Sequence, residues 1–343
     1  MSALAKSINE NTGSNQYRKL LTDYQQPDLK RSIWQIINSF VPYLALLVAM
    51  YYSLGISYWL TLILTVPAAG FMVRIFIISH DCGHGSFFKS KTARDVTGFI
   101  TGVITFVPYK QWRHNHAIHH ATCANLDRRG LGDVWTLTVD EYLALSFWGR
   151  LGYRLYRHPF IMFTVGPLYL FIIAQRFPEK EAKKKERNSV HLTNLSLVGI
   201  VLLTSITIGI KAYLIIQLSI LFFAAAGGVW LFYVQHQFED VYWDRNESWD
   251  FQAAALHGSS YYQLPAILRW FSGNIGFHHI HHLNSRIPNY YLEQCHQILV
   301  QHVKIEPITI MKSFKSLKCR LWDEKNTKLV GFGYVKQLVV NQV

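Results

Sequence analysis

Residues 58–84 read YWLTLILTVPAAGFMVRIFIISHDCGH, an apolar run from 58 to 79 that passes without a break into His80 and His84. The run matches the roughly 20 residues that a helix needs to cross a bilayer. A helix continued to 84 carries both histidines, four positions apart, on one face at its end. Only Pro67 and Arg74 interrupt it. A long apolar helix that delivers imidazoles to one end predicts a membrane bundle with its chemistry at the boundary.

Similar runs lie on both sides. About 36–54, IINSFVPYLALLVAMYYSL, precedes it, and about 192–210 and 213–235 follow, separated by little more than Lys211. The segment 160–177, FIMFTVGPLYLFIIAQRF, carries Gly166-Pro167 at its middle and reads as an in-plane or re-entrant element. The run 98–107 is about half the length of a span and reads as a second dipping element. The expectation is an all-α integral membrane protein with four full spans, six shorter crossings being the alternative. The chain divides into a cytoplasmic N-terminal segment 1–35, a membrane-embedded domain 36–305 and a small cytoplasmic tail 306–343, read as a helix and a hairpin.

Composition agrees. Only 16% of the 343 residues are charged and half are apolar, against about a quarter charged in soluble chains. The formal net charge of +13 comes without a basic arm or a nucleic-acid reader motif, so no nucleic-acid partner is expected. Cytoplasmic loops collect Lys and Arg. Lys19, Lys30 and Arg31 before the first run, and the basic residues of 176–187, therefore set the topology and put every histidine-rich stretch on the cytoplasmic side. Cys82, Cys123, Cys295 and Cys319 form no C-x-x-C pair, which fits a reducing compartment. The polar stretch 1–16 has no apolar core of the kind a cleaved signal peptide carries.

Three boxes concentrate the histidines. HDCGH gives His80 and His84, HAIHH gives His116, His119 and His120, and HHIHH gives His278, His281 and His282. The H-x-x-H-H spacing occurs twice, and on one helical face it can aim three imidazoles at one place. A lone histidine is usually an ordinary residue, but a repeated spacing is poorly explained by chance or by a pH-sensing patch. Imidazole suits zinc, copper, iron and nickel. Eight box histidines exceed the four ligands of one tetrahedral zinc, so two metals sharing the set are the natural reading. His236, at the end of the fourth span, is a ninth candidate. His114 lies about 200° around a helix from His116 and ranks below the others, and His279 is the spare of its box. Asp81, Asp133, Glu239 and Asp240 are available to hold the ring tautomers.

This arrangement resembles the integral membrane fatty acid desaturases, a superfamily that includes related hydroxylases and ketolases. IFIISHDCGHGSFF, HHATCANLDRRGLGDVWTLTVDEY, YRLYRHPFIMF, VWLFYVQHQFED, GSSYYQLP and GNIGFHHIHHL look like bacterial acyl-lipid desaturases, most of all the Δ5 type, and the likeness runs from about 28 to 324. The resemblance implies a di-iron centre with His80, His84, His116, His119, His120, His236, His278, His281 and His282 as ligands and O2 as co-substrate. It further implies acyl chains of membrane phospholipids as substrate and a separate ferredoxin or flavodoxin as electron donor, since HPF at 158–160 is not the haem motif of cytochrome b5 fusions. A multi-pass cell membrane protein with a cytoplasmic active site is expected. One relative uses an Asn four residues before the isolated histidine, where this chain has Phe232. The rival readings are a di-iron lipid or carotenoid hydroxylase and a histidine-lined metal transporter. The oligomeric state is not legible.

Overall fold

The computed structural model describes residues 16–130 and 132–340. The stretch 1–15, on which nearly all of the signal-peptide reading of 1–16 falls, lies outside the described residues. Among the described residues the fold is mostly helical, with five short strands, of which the sequence reading had included only the hairpin of the tail.

Four helices are long and apolar enough to cross a bilayer: α1 (Leu29–Ser53), α2 (Tyr58–His84), α7 (Lys184–Thr207) and α8 (Ile210–His236). They correspond to the four runs read as spans. Asp28 caps α1 by accepting from the Arg31 amide at 3.0 Å, and Gly85, at φ 78°, terminates α2 in the left-handed region that favours glycine. Between α2 and α7 lie α3 (Lys91–Ile104) and α4 (Tyr109–Thr122), each too short to span. The run 98–107 falls largely on α3. The segment 160–177 begins as a helical stretch with Pro167 at the start of α6 (Gly166–Ile172), preceded by the amphipathic α5 (Phe147–Tyr156). Phe147–Tyr156 and Ile161–Arg176 meet at 57°, so counting the pair as one crossing gives five at most.

Helix α2 is central, packed against α1, α3 and α8. Met72 and Ile75 meet Ile216, Ile220 and Leu221 of α8 and Tyr43 and Met50 of α1. The outward faces stay apolar: Trp59, Ile63, Leu195 and Ile206 are all exposed, Ile206 to 83%. Four apolar helices with apolar outer faces fit a membrane protein.

The ends of α2 and α8 meet a cap built from α4, α9 (Phe251–His257), α10 (His278–Leu283) and α11 (Leu292–Leu299). The tail is stitched into it. Strand β3 (Pro307–Thr309) pairs in parallel with β2 (Tyr261–Gln263), and β4 (Leu321–Asp323) pairs in parallel with β1 (Leu137–Thr138) and antiparallel with β5 (Lys328–Val330). The β4–β5 hairpin follows a short helical stretch, and a further helix, Phe332–Val340, comes after it. Arg157, 1% exposed, locks these parts together. It donates to the Trp135 carbonyl at 2.9 Å, Gln237 Oε1 at 2.9 Å and the Cys319 carbonyl at 2.7 Å.

Candidate metal centre

The nine histidines come from four helices. Helix α2 carries His80 and His84 in its last turns, α4 carries His116, His119 and His120, α8 ends on His236, and α10 carries His278, His281 and His282. They gather into two groups whose ring nitrogens lie within 4.8 Å of one another. One is His80, His84, His116, His120 and His281; the other is His119, His236, His278 and His282.

The partition corrects one expectation. The three imidazoles of an H-x-x-H-H turn do not aim at a single point. Helix α4 sends His116 and His120 to the first group and His119 to the second, while α10 sends His281 to the first and His278 and His282 to the second. Positions i, i+3 and i+4 fan across one face, and two centres side by side take up that fan.

Tautomers follow from the acceptors at Nδ1. His80 Nδ1 lies 3.0 Å from Asp81 Oδ1, His119 Nδ1 lies 2.5 Å from Asp133 Oδ1, and His236 Nδ1 lies 3.2 Å from the Gly258 carbonyl. Each acceptor fixes a proton on Nδ1 and leaves a lone pair on Nε2. The Nε2 atoms converge: His116–His120 at 3.2 Å and His120–His281 at 2.9 Å in the first group, His236–His278 at 2.9 Å and His278–His282 at 3.1 Å in the second. Two nitrogens at right angles about a metal ~2.1 Å from each would stand about 3.0 Å apart. His84 Nε2 and His119 Nε2 are buried with no hydrogen-bond partner among the described residues. Converging lone pairs and orphaned nitrogens fit a pair of metal ions.

Burial, reinforced by the neighbouring rings, pushes His116, His120, His278, His281 and His282 well below the ordinary value near 6.5. The rings are therefore neutral, as ligation requires. Trp112, one turn before His116, stacks on it at 4.4 Å and 21°. Phe232 packs against His119 and His236, at 5.3 Å and 5.1 Å between centroids.

The remaining candidates separate cleanly. Asp81 and Asp133 contact ring nitrogens, whereas Glu239 pairs with Lys315 at 3.4 Å on the surface and Asp240 is exposed. His114 is exposed. His279 is buried outside both groups, with Nε2 3.0 Å from His296 Nδ1. His296, Asn289 and Gln35 belong to no motif and carry no signal in the sequence, although Asn289 lies only seven residues after His282.

The chain belongs to the fatty acid desaturase family, whose model matches residues 57–307. It is therefore an oxidoreductase of lipid metabolism. It is 49% identical over 326 residues to a fatty acid desaturase of Bacillus subtilis, covering 95% of this chain and 93% of that one. An sn-1 acyl-lipid omega-3 desaturase (ferredoxin) of Nostoc sp. is 29% identical over 64% of this chain and 61% of its own length. An sn-1 oleoyl-lipid 12-desaturase of Synechocystis sp. is 25% identical over 76% and 72%.

Proposed function

We propose that the protein is an acyl-lipid desaturase of the Δ5 type that introduces a cis double bond into phospholipid acyl chains at the cytoplasmic face of the cell membrane. The observation that carries this reading is the division of nine histidines, six of them buried and three partly buried, into two adjoining nitrogen-rich groups. No side-chain acid or base removes hydrogens from an unactivated methylene pair; two iron ions with O2 supply that oxidising power. The balance is one –CH2–CH2– unit, O2, two electrons and two protons giving –CH=CH– and two waters.

The protein residues have separable tasks. His80, His84, His116, His120 and His281 would hold one iron, and His119, His236, His278 and His282 the other. Asp81 and Asp133 keep protons on the Nδ1 atoms of His80 and His119, and Phe232 keeps water from the second group. Lys30, Arg31, Lys89, Lys91 and the basic residues of 180–187 lie at the helix ends nearest the histidines, which supports a cytoplasmic site. The ferredoxin named for the Nostoc relative supports a ferredoxin as donor, with a flavodoxin as the other small carrier of this kind. The sequence blocks between 28 and 324 support Δ5. Histidines at span ends rather than mid-span speak against a transporter.

The test is expression in a host whose lipids are saturated, followed by mass spectrometry of the acyl chains. A loss of 2 Da with the double bond at carbon 5 is expected. A gain of 16 Da would mean hydroxylation, and unchanged chains would overturn the reading.

A further inference from the structure

Helix α1 contributes no histidine to either group, yet a chain of buried amides connects it to His80. The Asp81 carboxylate is shared. Its Oδ1 faces His80 Nδ1 at 3.0 Å, and its Oδ2 accepts from both the backbone N–H of Asn289 at 2.8 Å and the Asn289 side-chain amide at 2.9 Å. The same Asn289 amide donates to Gln35 Oε1 of α1 at 3.1 Å. Gln35, Asp81 and Asn289 are each no more than 3% exposed.

The loop that bears Asn289 is itself fastened to α1. The Tyr290 hydroxyl accepts from the Asp28 amide at 2.8 Å, and the Arg31 guanidinium lies over the Tyr291 ring at 5.0 Å. From the other side, the Asn274 amide donates to the Asn289 carbonyl at 3.1 Å. Asn289 is thus held by contacts before and behind, with both amide hydrogens committed.

We propose that Gln35 and Asn289 are positioning residues for the five-histidine centre, acting through Asp81 on His80. Two N–H groups on one oxygen fix the carboxylate rotamer. The other oxygen is then the only acceptor facing His80 Nδ1 among the described residues, and the Nε2 lone pair of His80 points at the group. Gln35 sets the Asn289 amide in turn, so the first long helix orients a metal ligand that it never touches. The inference rests on the metal-binding reading above.

The test is iron retention by the detergent-purified holoprotein across a concentration series of a ferrous chelator, with Mössbauer spectra to say which iron leaves. His84→Ala and His236→Ala, each lacking one centre, assign the signals. Asn289→Leu is expected to release the five-histidine iron at a chelator concentration about 10- to 100-fold lower than wild type, with the other iron unchanged. Gln35→Met should shift in the same direction, and Gln35→Glu, which keeps the acceptor, should stay closer to wild type. If Asn289→Leu does not fold, Gln35→Met carries the test alone. Wild-type retention of both irons, or equal loss of both in a folded variant, overturns the proposal. A wild-type protein without iron would instead overturn the metal reading itself.

Discussion

His120 and His282 stack face to face, 4.1 Å between ring centroids and 16° between planes, although they belong to different metal-binding groups. If both groups hold iron, as proposed, the two centres share a wall made of ligands. Removing either ring opens both sides of that wall. His120→Ala and His282→Ala are expected to lower iron at both centres, whereas His84→Ala should leave about one iron per chain. Metal analysis of the purified variants decides it.

Asp133 sits 2.5 Å from His119 Nδ1. Asp133→Asn keeps the shape and removes the charge that polarises the ring. Iron affinity at the four-histidine centre should fall about 10- to 100-fold, read by the same chelator series, and wild-type affinity would remove Asp133 from the account.

Burial pushes His279 down to about 3 and His296 down to about 4, from an ordinary value of 6.5. These rings are neutral in the folded chain but take up protons on unfolding below pH 6.5. The unfolded state then binds more protons, so stability is constant above 6.5 and falls as the pH drops from 6.5 towards 4. Each such group adds a slope of about 1.4 kcal/mol per pH unit. The thermal midpoint of the metal-free protein, followed from pH 7.5 to 5, should decline only below 6.5.

Arg157 serves acceptors on three separate segments. Arg157→Leu leaves buried Gln237 Oε1 without its donor, at about 1–3 kcal/mol, and leaves the Cys319 and Trp135 carbonyls only the Tyr233 and Tyr153 hydroxyls. A thermal midpoint lower by several degrees and faster proteolysis of the tail after 306 are expected; an unchanged midpoint would mean that the guanidinium ties nothing together.

His114 shares a helix with three of the clustered histidines but is exposed. His114→Ala should leave desaturation within about twofold of wild type, whereas His116→Ala should abolish it. Product yield in the saturated-lipid host measures both.

Much of this architecture is local and was readable in the sequence. Apolar length marks α1, α2, α7 and α8, and the i, i+3, i+4 spacing marks the faces of α4 and α10. Chain ends of spans mark His80, His84 and His236. What could not be read depends on how helices approach one another. The split of His119 from His116 and His120 is set by which neighbour each ring meets. The choice of Asp81 and Asp133 over Glu239 and Asp240 follows from rotamer and burial. Pairing of 137–138 with 321–322, and of Asn289 with Gln35, joins segments far apart in the chain that no period or motif relates.

Nine histidines are proposed to build two iron seats. Iron per chain in the purified wild-type protein, with zinc and copper counted beside it, tests that most directly. About two irons per chain are expected, falling to about one in both His84→Ala and His236→Ala. A wild-type chain that holds a single metal ion, or holds zinc in place of iron, would contradict it.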